Sequence, residues 1–200
     1  MALIATLPPP VPTRPEALER IAGVSRPLQW LFTALLAVGA VILLGAILTA
    51  LFYEGPRVQV RPGGLQIFIE PGTPRVIPGW TTLGAMPFTR RLALAGSAIL
   101  MLTPALAILW QLHRLFSLYR AGVVLAAENA RCLTFMAIWL IAYAAAPTLG
   151  HLLVTAAGFD DRGWLRLDSL QALGLGLVLF VMARVMAWAA EVHDDASRFV

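Results

Sequence analysis

The sequence contains no lysine, one cysteine and few charges of either sign, and each shortage excludes a class of protein. Of its 200 residues 13% are charged and 59% hydrophobic, about half the charge of an ordinary soluble domain. A water-facing surface cannot be built from so little, and a mean hydropathy of +0.78 makes lipid the solvent for much of the chain. The lone cysteine, Cys132, rules out an intramolecular disulfide and any multi-cysteine metal centre. It reads as a small apolar residue at a helix start. All 15 basic residues are arginine, standing singly or in pairs between apolar runs. With no basic stripe and no interleaved aromatics, the formal charge of +4 points to lipid headgroups and away from nucleic acid.

Catalytic patterns are also missing. Ser97, Ser117 and Ser169 lack a glycine-flanked elbow, and there is no His-Glu-x-x-His run, Walker loop or dinucleotide glycine fingerprint. Asp160 and Asp161, between Gly158 and Arg162, read as a solvated turn. No enzyme activity is expected.

What the sequence does have is four long apolar runs, at about residues 28–52, 92–112, 133–155 and 170–190. The first carries no charge and is flanked by Trp30 and Tyr53, amphipathic rings suited to the two interfaces. At about 1.5 Å per residue each run crosses, or nearly crosses, a hydrocarbon core of about 30 Å. Pro104 and Pro147 fall within the second and third runs, where each removes a backbone donor. Gly174 and Gly176 in the fourth leave bare backbone for close helix approach. The expected fold is all-α: a four-helix transmembrane bundle over residues 28–200, preceded by an arm over 1–27. In that arm the proline-punctuated start is read as disordered. Thr13-Arg14-Pro15-Glu16 forms a capping box, opening a short interfacial helix through Arg20.

Residues 53–91 are the extramembrane loop. Val58, Val60, Ile67 and Ile69 alternate with Gln59, Arg61 and Gln66 around Pro62-Gly63-Gly64, a period-2 pattern that predicts a small β-hairpin. Pro71, Gly72, Pro74, Pro78 and Gly79 exclude another long helix, and Trp80 and Phe88 are expected at the interface. Four spans place both termini on one side of the membrane. Arginine counting does not choose the side, because seven fall on the terminal side and seven on the hairpin side.

Among residues that carry chemistry, Arg184 is the sole charge well inside a span. Such a charge marks a functional site by default, binding a lipid phosphate or pairing with Glu128 or Glu191. Near the inner end, it can also snorkel to the headgroups as a purely structural residue. Of the three histidines, only His113 and His193 would lie at similar depth, as axial haem ligands must; His193, beside Asp194 and Asp195, reads instead as solvated. No metal site is expected, since adjacent residues rarely converge on one ion.

Between spans two and three, Leu115-Phe116-Ser117-Leu118-Tyr119-Arg120-Ala121-Gly122 leads to Glu128-Asn129-Ala130-Arg131-Cys132-Leu133. The segment reads as a helical extension, a turn and the amphipathic start of the next helix. This pattern resembles a bacterial family of four-span membrane proteins, domain of unknown function 2975, over about residues 28–200. The family pattern has an apolar-basic stretch, a glycine, a phenylalanine, then Glu-Asn and a basic residue. Leu125 stands near the phenylalanine position. The family's acidic tail motif is also altered here, with Glu191 and Val200 kept and Asp194-Asp195-Ala196-Ser197-Arg198-Phe199 between them. The resemblance implies a bacterial inner-membrane location with both termini cytoplasmic. Some members are encoded beside helix-turn-helix regulators, which implies a signalling context.

The expected function is a non-enzymatic accessory or regulatory subunit that contacts membrane lipids and another protein or a second copy of itself, without a cofactor. Tyr119, Arg120, Glu128, Asn129 and Arg131 are the candidate partner-binding residues, with Arg184 and Glu191 as lipid or ion-pair candidates. The alternative for the partner-binding five is a helix turn that merely fixes the bundle. A small transporter or channel subunit is the second functional class, with Thr33, Thr49, Ser97, Thr103, Thr148 and Arg184 as its scarce polar path. A haem-carrying electron-transfer subunit is the third.

Overall fold

The computed structural model describes residues 14–61, 64–68, 77–123, 126–159 and 167–197, with side chains at 23–61, 67–68, 77–123, 126–159 and 169–192. Four helices dominate: α1 (Arg14–Phe52), α2 (Phe88–Arg120), α3 (Ala127–Ala156) and α4 (Leu167–Ser197). Each holds a stretch long and apolar enough to cross a bilayer. In hydrocarbon every backbone N–H and C=O must find its partner within the chain, and a helix satisfies that requirement locally. The chain is an all-α, multi-pass membrane protein.

The short surface helix expected to stop near Arg20 does not stop there. It runs on through Pro27 into the first span as one helix of 39 residues. Proline removes a single backbone donor, too small a loss to end a helix whose remaining bonds close. The proline-rich start and the capping Thr13 lie outside the described residues. Likewise α2 continues through Pro104 and α3 through Pro147.

The helices pack in chain order, α1 on α2, α2 on α3 and α3 on α4, with no comparable contact between other helix pairs among the described residues. The bundle is therefore an open row. Accordingly, the most apolar stretch of α1, at one edge, contains no buried residue, while α3, with neighbours on both sides, buries the most. Glycine marks each interface. A Cβ built at Gly39 of α1 falls 2.6 Å from Leu106 Cδ2 of α2, and one at Gly150 of α3 falls 2.9 Å from Ser97 Oγ of α2. At Gly176 of α4 it meets the α3 backbone, 3.2 Å from the carbonyl oxygen of Ala137. Gly174, paired with Gly176 in the sequence reading, faces open space, since two residues along a helix point to nearly opposite faces.

Two cores anchor the row, one at each end. Toward the α2–α3 turn, Leu115, Cys132, Leu133, Met136 and Ala183 form a buried cluster of α2, α3 and α4 residues. At the other end lies a small antiparallel sheet. The expected hairpin is present as β1 (Val58–Arg61) and β2 (Gly64–Ile67), in register from Val58 opposite Ile67 to Arg61 opposite Gly64. Ile69 falls outside the described residues. A third strand, β3 (Thr81–Thr82), pairs with the free edge of β1, so β1 is central. Val58 and Val60 pack with Leu83, Met86 and Phe159, about 1.5–3 kcal/mol for each large side chain removed from water. Gln59, a polar residue of the alternation, is fully buried: its Oε1 accepts the N–H of Ile77 at 3.1 Å and its Nε2 donates to Pro56 O at 3.3 Å.

The two glycines of α4 separate packing from propensity. Gly176→Leu forces the α3 backbone away and lowers stability in detergent by about 1–3 kcal/mol. Gly174→Ala raises it slightly, by about 0.5–1 kcal/mol at most, as thermal unfolding of the two purified variants will read directly.

Candidate functional site

The turn between α2 and α3 carries the five partner-binding candidates, and its geometry divides them. Helix α2 ends at Arg120 and the chain reverses through Gly122, whose φ of 77° suits a residue without a side chain. Gly122 N–H donates to Tyr119 O at 3.1 Å and Val123 N–H to Leu118 O at 3.0 Å, the paired bonds of a Schellman motif. Asn129, fully buried in the first turn of α3, donates from Nδ2 to Val123 O at 2.8 Å. Asn129 thereby ties the start of α3 to the end of the α2 cap. Tyr119 is half-buried against the Leu115–Cys132–Met136 cluster and meets Phe116 edge-on at 6.0 Å. Arg120, Glu128 and Arg131 are exposed. Two of the five residues fix the turn, and three present charge on it; Leu125 lies outside the described residues.

Beside this turn α1 docks onto α2 through contacts the sequence did not announce. Arg120 Nη1 donates to Gln29 Oε1 at 3.1 Å, Thr33 Oγ1 lies 2.9 Å from His113 Nδ1, and Phe32 stacks on Phe116 at 5.4 Å. Thr33 Oγ1 also donates to Gln29 O at 2.8 Å. His113 thus faces α1, with Trp110 stacked at 5.9 Å. The side chains of His193, Asp194 and Asp195 lie outside the described residues, as do Asp160, Asp161 and Arg162. Arg184 is exposed on α4, its guanidinium 5.3 Å from the ring centre of Phe180, one helical turn earlier. Glu191 is exposed two turns beyond it. Among the described residues no ion pair joins Arg184 to Glu128 or Glu191.

The opposite end holds the residues that sequence reasoning missed. Arg91, 8% exposed, donates from Nη1 to Leu51 O in the last turn of α1 at 3.3 Å and from Nη2 to Gly84 O at 2.7 Å. Its Nε is buried without an acceptor among the described residues. The adjacent Arg90 donates from Nε to Ala157 O, the C-cap of α3, at 3.2 Å, and its guanidinium lies 5.5 Å from the ring centre of Phe159. Both carbonyl groups at helix ends belong to the last turn, which lacks intrahelical donors and bears the negative end of the helix dipole. The sequence shows only two adjacent cations beside the start of an apolar run, a place where a helix's own dipole disfavours them, and does not say whose carbonyls they meet.

The α2–α3 turn, with its glycine and buried asparagine, sits inside a region that comparison recognises. The model of a family described as a protein of unknown function (DUF2975) matches residues 73–197. The chain belongs to this family. The DUF2975 match takes in β3, α2, α3 and α4 and leaves α1 and the hairpin before it, a narrower extent than the resemblance over 28–200 implied. No curated protein and no solved structure matches the chain.

Asn129 offers a test of the turn. Asn129→Asp keeps the size but replaces the donor with an acceptor facing Val123 O. It is expected to lower stability by about 1–3 kcal/mol, whereas Arg131→Ala two residues on leaves the melting temperature unchanged.

Proposed function

We propose that this DUF2975 protein is a non-enzymatic accessory or regulatory subunit of the bacterial inner membrane, which offers the α2–α3 turn to a protein partner at the cytoplasmic face. The observation that carries the reading is the division within the turn. Buried Asn129 and the Gly122 cap hold the backbone, while Glu128 and Arg131 stand exposed without a hydrogen bond or ion pair among the described residues. Charges of both signs on a rigid turn are suited to steering and registering a partner, more than to supplying raw affinity. Arg120, its guanidinium drawn to Gln29, couples that surface to the edge helix α1.

The termini are placed inside, as the family resemblance implies; arginines are engaged at both ends of the row, Arg90 and Arg91 at one and Arg120 at the other. In a Cys132→Ala background, Arg57→Cys is then labelled by an impermeant thiol reagent from outside the inner membrane, and Arg131→Cys is not.

The function is tested by purifying the tagged protein at native expression level, beside Arg120→Ala/Glu128→Ala/Arg131→Ala. The wild type is expected to co-elute with a stoichiometric partner. The triple variant, eluting at an unchanged volume of its own, loses that partner by about tenfold or more, equivalent to about 1.4 kcal/mol. Elution of the wild type alone, or equal recovery of the partner with both proteins, contradicts the proposal.

A further inference from the structure

A cavity of about 410 Å³ lies between α1, α2 and the sheet, within the size range of small-molecule sites. Gly45 and Thr49 of α1 and Ala98 of α2 contribute to its walls, and Val58 and Leu83 come from the sheet side. Thr49 is the one polar side chain in the lining among the described residues, which offer little to an ion or a polar solute, and an apolar cavity does not hold water. Two lining residues, Ile42 and Ile67, are more than half exposed and mark the mouth. Ile42 precedes the end of α1 at Phe52 by ten residues, a rise of about 15 Å. The Ile42 side of the mouth therefore opens into the hydrocarbon of the leaflet on the hairpin side, while Ile67 borders it from the sheet.

Small residues keep this space open. A Cβ built at Gly45 meets nothing within 4 Å, so a larger residue would fit without collision. Glycine inside a helix costs about 0.5–1 kcal/mol relative to alanine, and at Gly45 no close approach of a neighbouring helix accounts for it, in contrast to Gly39. An unfilled apolar space also forfeits the dispersion contacts of its lining.

We propose that the cavity is a binding site for one acyl chain of a membrane phospholipid, which enters sideways from the hairpin-side leaflet beneath the sheet. The chain supplies the missing van der Waals partner for α1, α2 and the sheet at once. It would make the seat of the hairpin on the edge helix dependent on lipid. This inference does not rest on the partner-binding reading of the α2–α3 turn.

The test uses the full-length protein in nanodiscs of phosphatidylethanolamine and phosphatidylglycerol, doped with a phospholipid bearing a diazirine near its acyl terminus. After irradiation, labelled residues are mapped by mass spectrometry for wild type and for Gly45→Phe, which fills the space. Labelling at 42–50 and 94–98 is expected to fall about fivefold in the variant, equivalent to about 1 kcal/mol. Labelling of the lipid-facing stretch 177–185 of α4 stays constant. The melting temperature of Gly45→Phe, no lower than that of wild type, shows that the variant is folded. Equal labelling at 42–50 in both proteins overturns the proposal. So does a wild-type cavity that takes a small aryl diazirine or a diazirine fatty acid but not the phospholipid, since the occupant is then a diffusible apolar ligand.

Discussion

Two consecutive arginines at the start of α2 hold the ends of the helices on either side of it. Arg91 reaches back to the last turn of α1 and to the loop at Gly84, and Arg90 reaches across to the cap of α3. Charge-assisted bonds of this kind contribute about 1.5–3 kcal/mol each, and here they satisfy carbonyl groups that a helix terminus leaves without donors. The sheet depends on the same arrangement. Its core residues Val58, Val60 and Leu83 pack with Phe159, whose ring lies under Arg90. Helix ends and hairpin are thus fixed by side chains that begin a third element.

That clamp matters because the rest of the architecture offers little redundancy. In an open row each inner helix packs closely on two neighbours and each edge helix on one among the described residues, so no closed ring of comparable contacts among them restrains α1 or α4. Between helices in lipid there is no hydrophobic driving force, and close packing with scattered hydrogen bonds must suffice. The glycines at the three interfaces provide the close packing. At the far end the edge helix α1 is held by Gln29 to Arg120, Thr33 to His113 and Phe32 on Phe116.

The fold was legible where the pattern depends on solvent. Long apolar runs without charge admit one structure in a bilayer, and alternation around Pro62-Gly63-Gly64 admits a hairpin. The misses came from tertiary context. Gln59 alternates like a surface residue, yet the segment at Ile77 covers it. The short interfacial helix expected to end at Arg20 continues through Pro27, because a single lost bond does not end α1. Gly174 and Gly176 look equivalent in sequence, and helix rotation separates them. At the candidate site, the turn between α2 and α3 was readable from Gly122 and the polar residues after it, while the split between buried Asn129 and exposed Glu128 and Arg131 was not. Arg90 and Arg91 entered the sequence reading as two more loop charges, because nothing local says whose carbonyls they will meet.

The arginine pair fixes the geometry of the hairpin-side helix ends. The most direct test of this is the distance distribution between spin labels at Phe52→Cys and Ala156→Cys, in a Cys132→Ala background and in nanodiscs, with and without Arg91→Leu. A narrow distribution is expected that broadens markedly when Arg91 is lost, while a control pair at Arg26→Cys and Arg131→Cys, at the other end of the row, keeps its width. An unchanged hairpin-side distribution in the Arg91→Leu protein would contradict it.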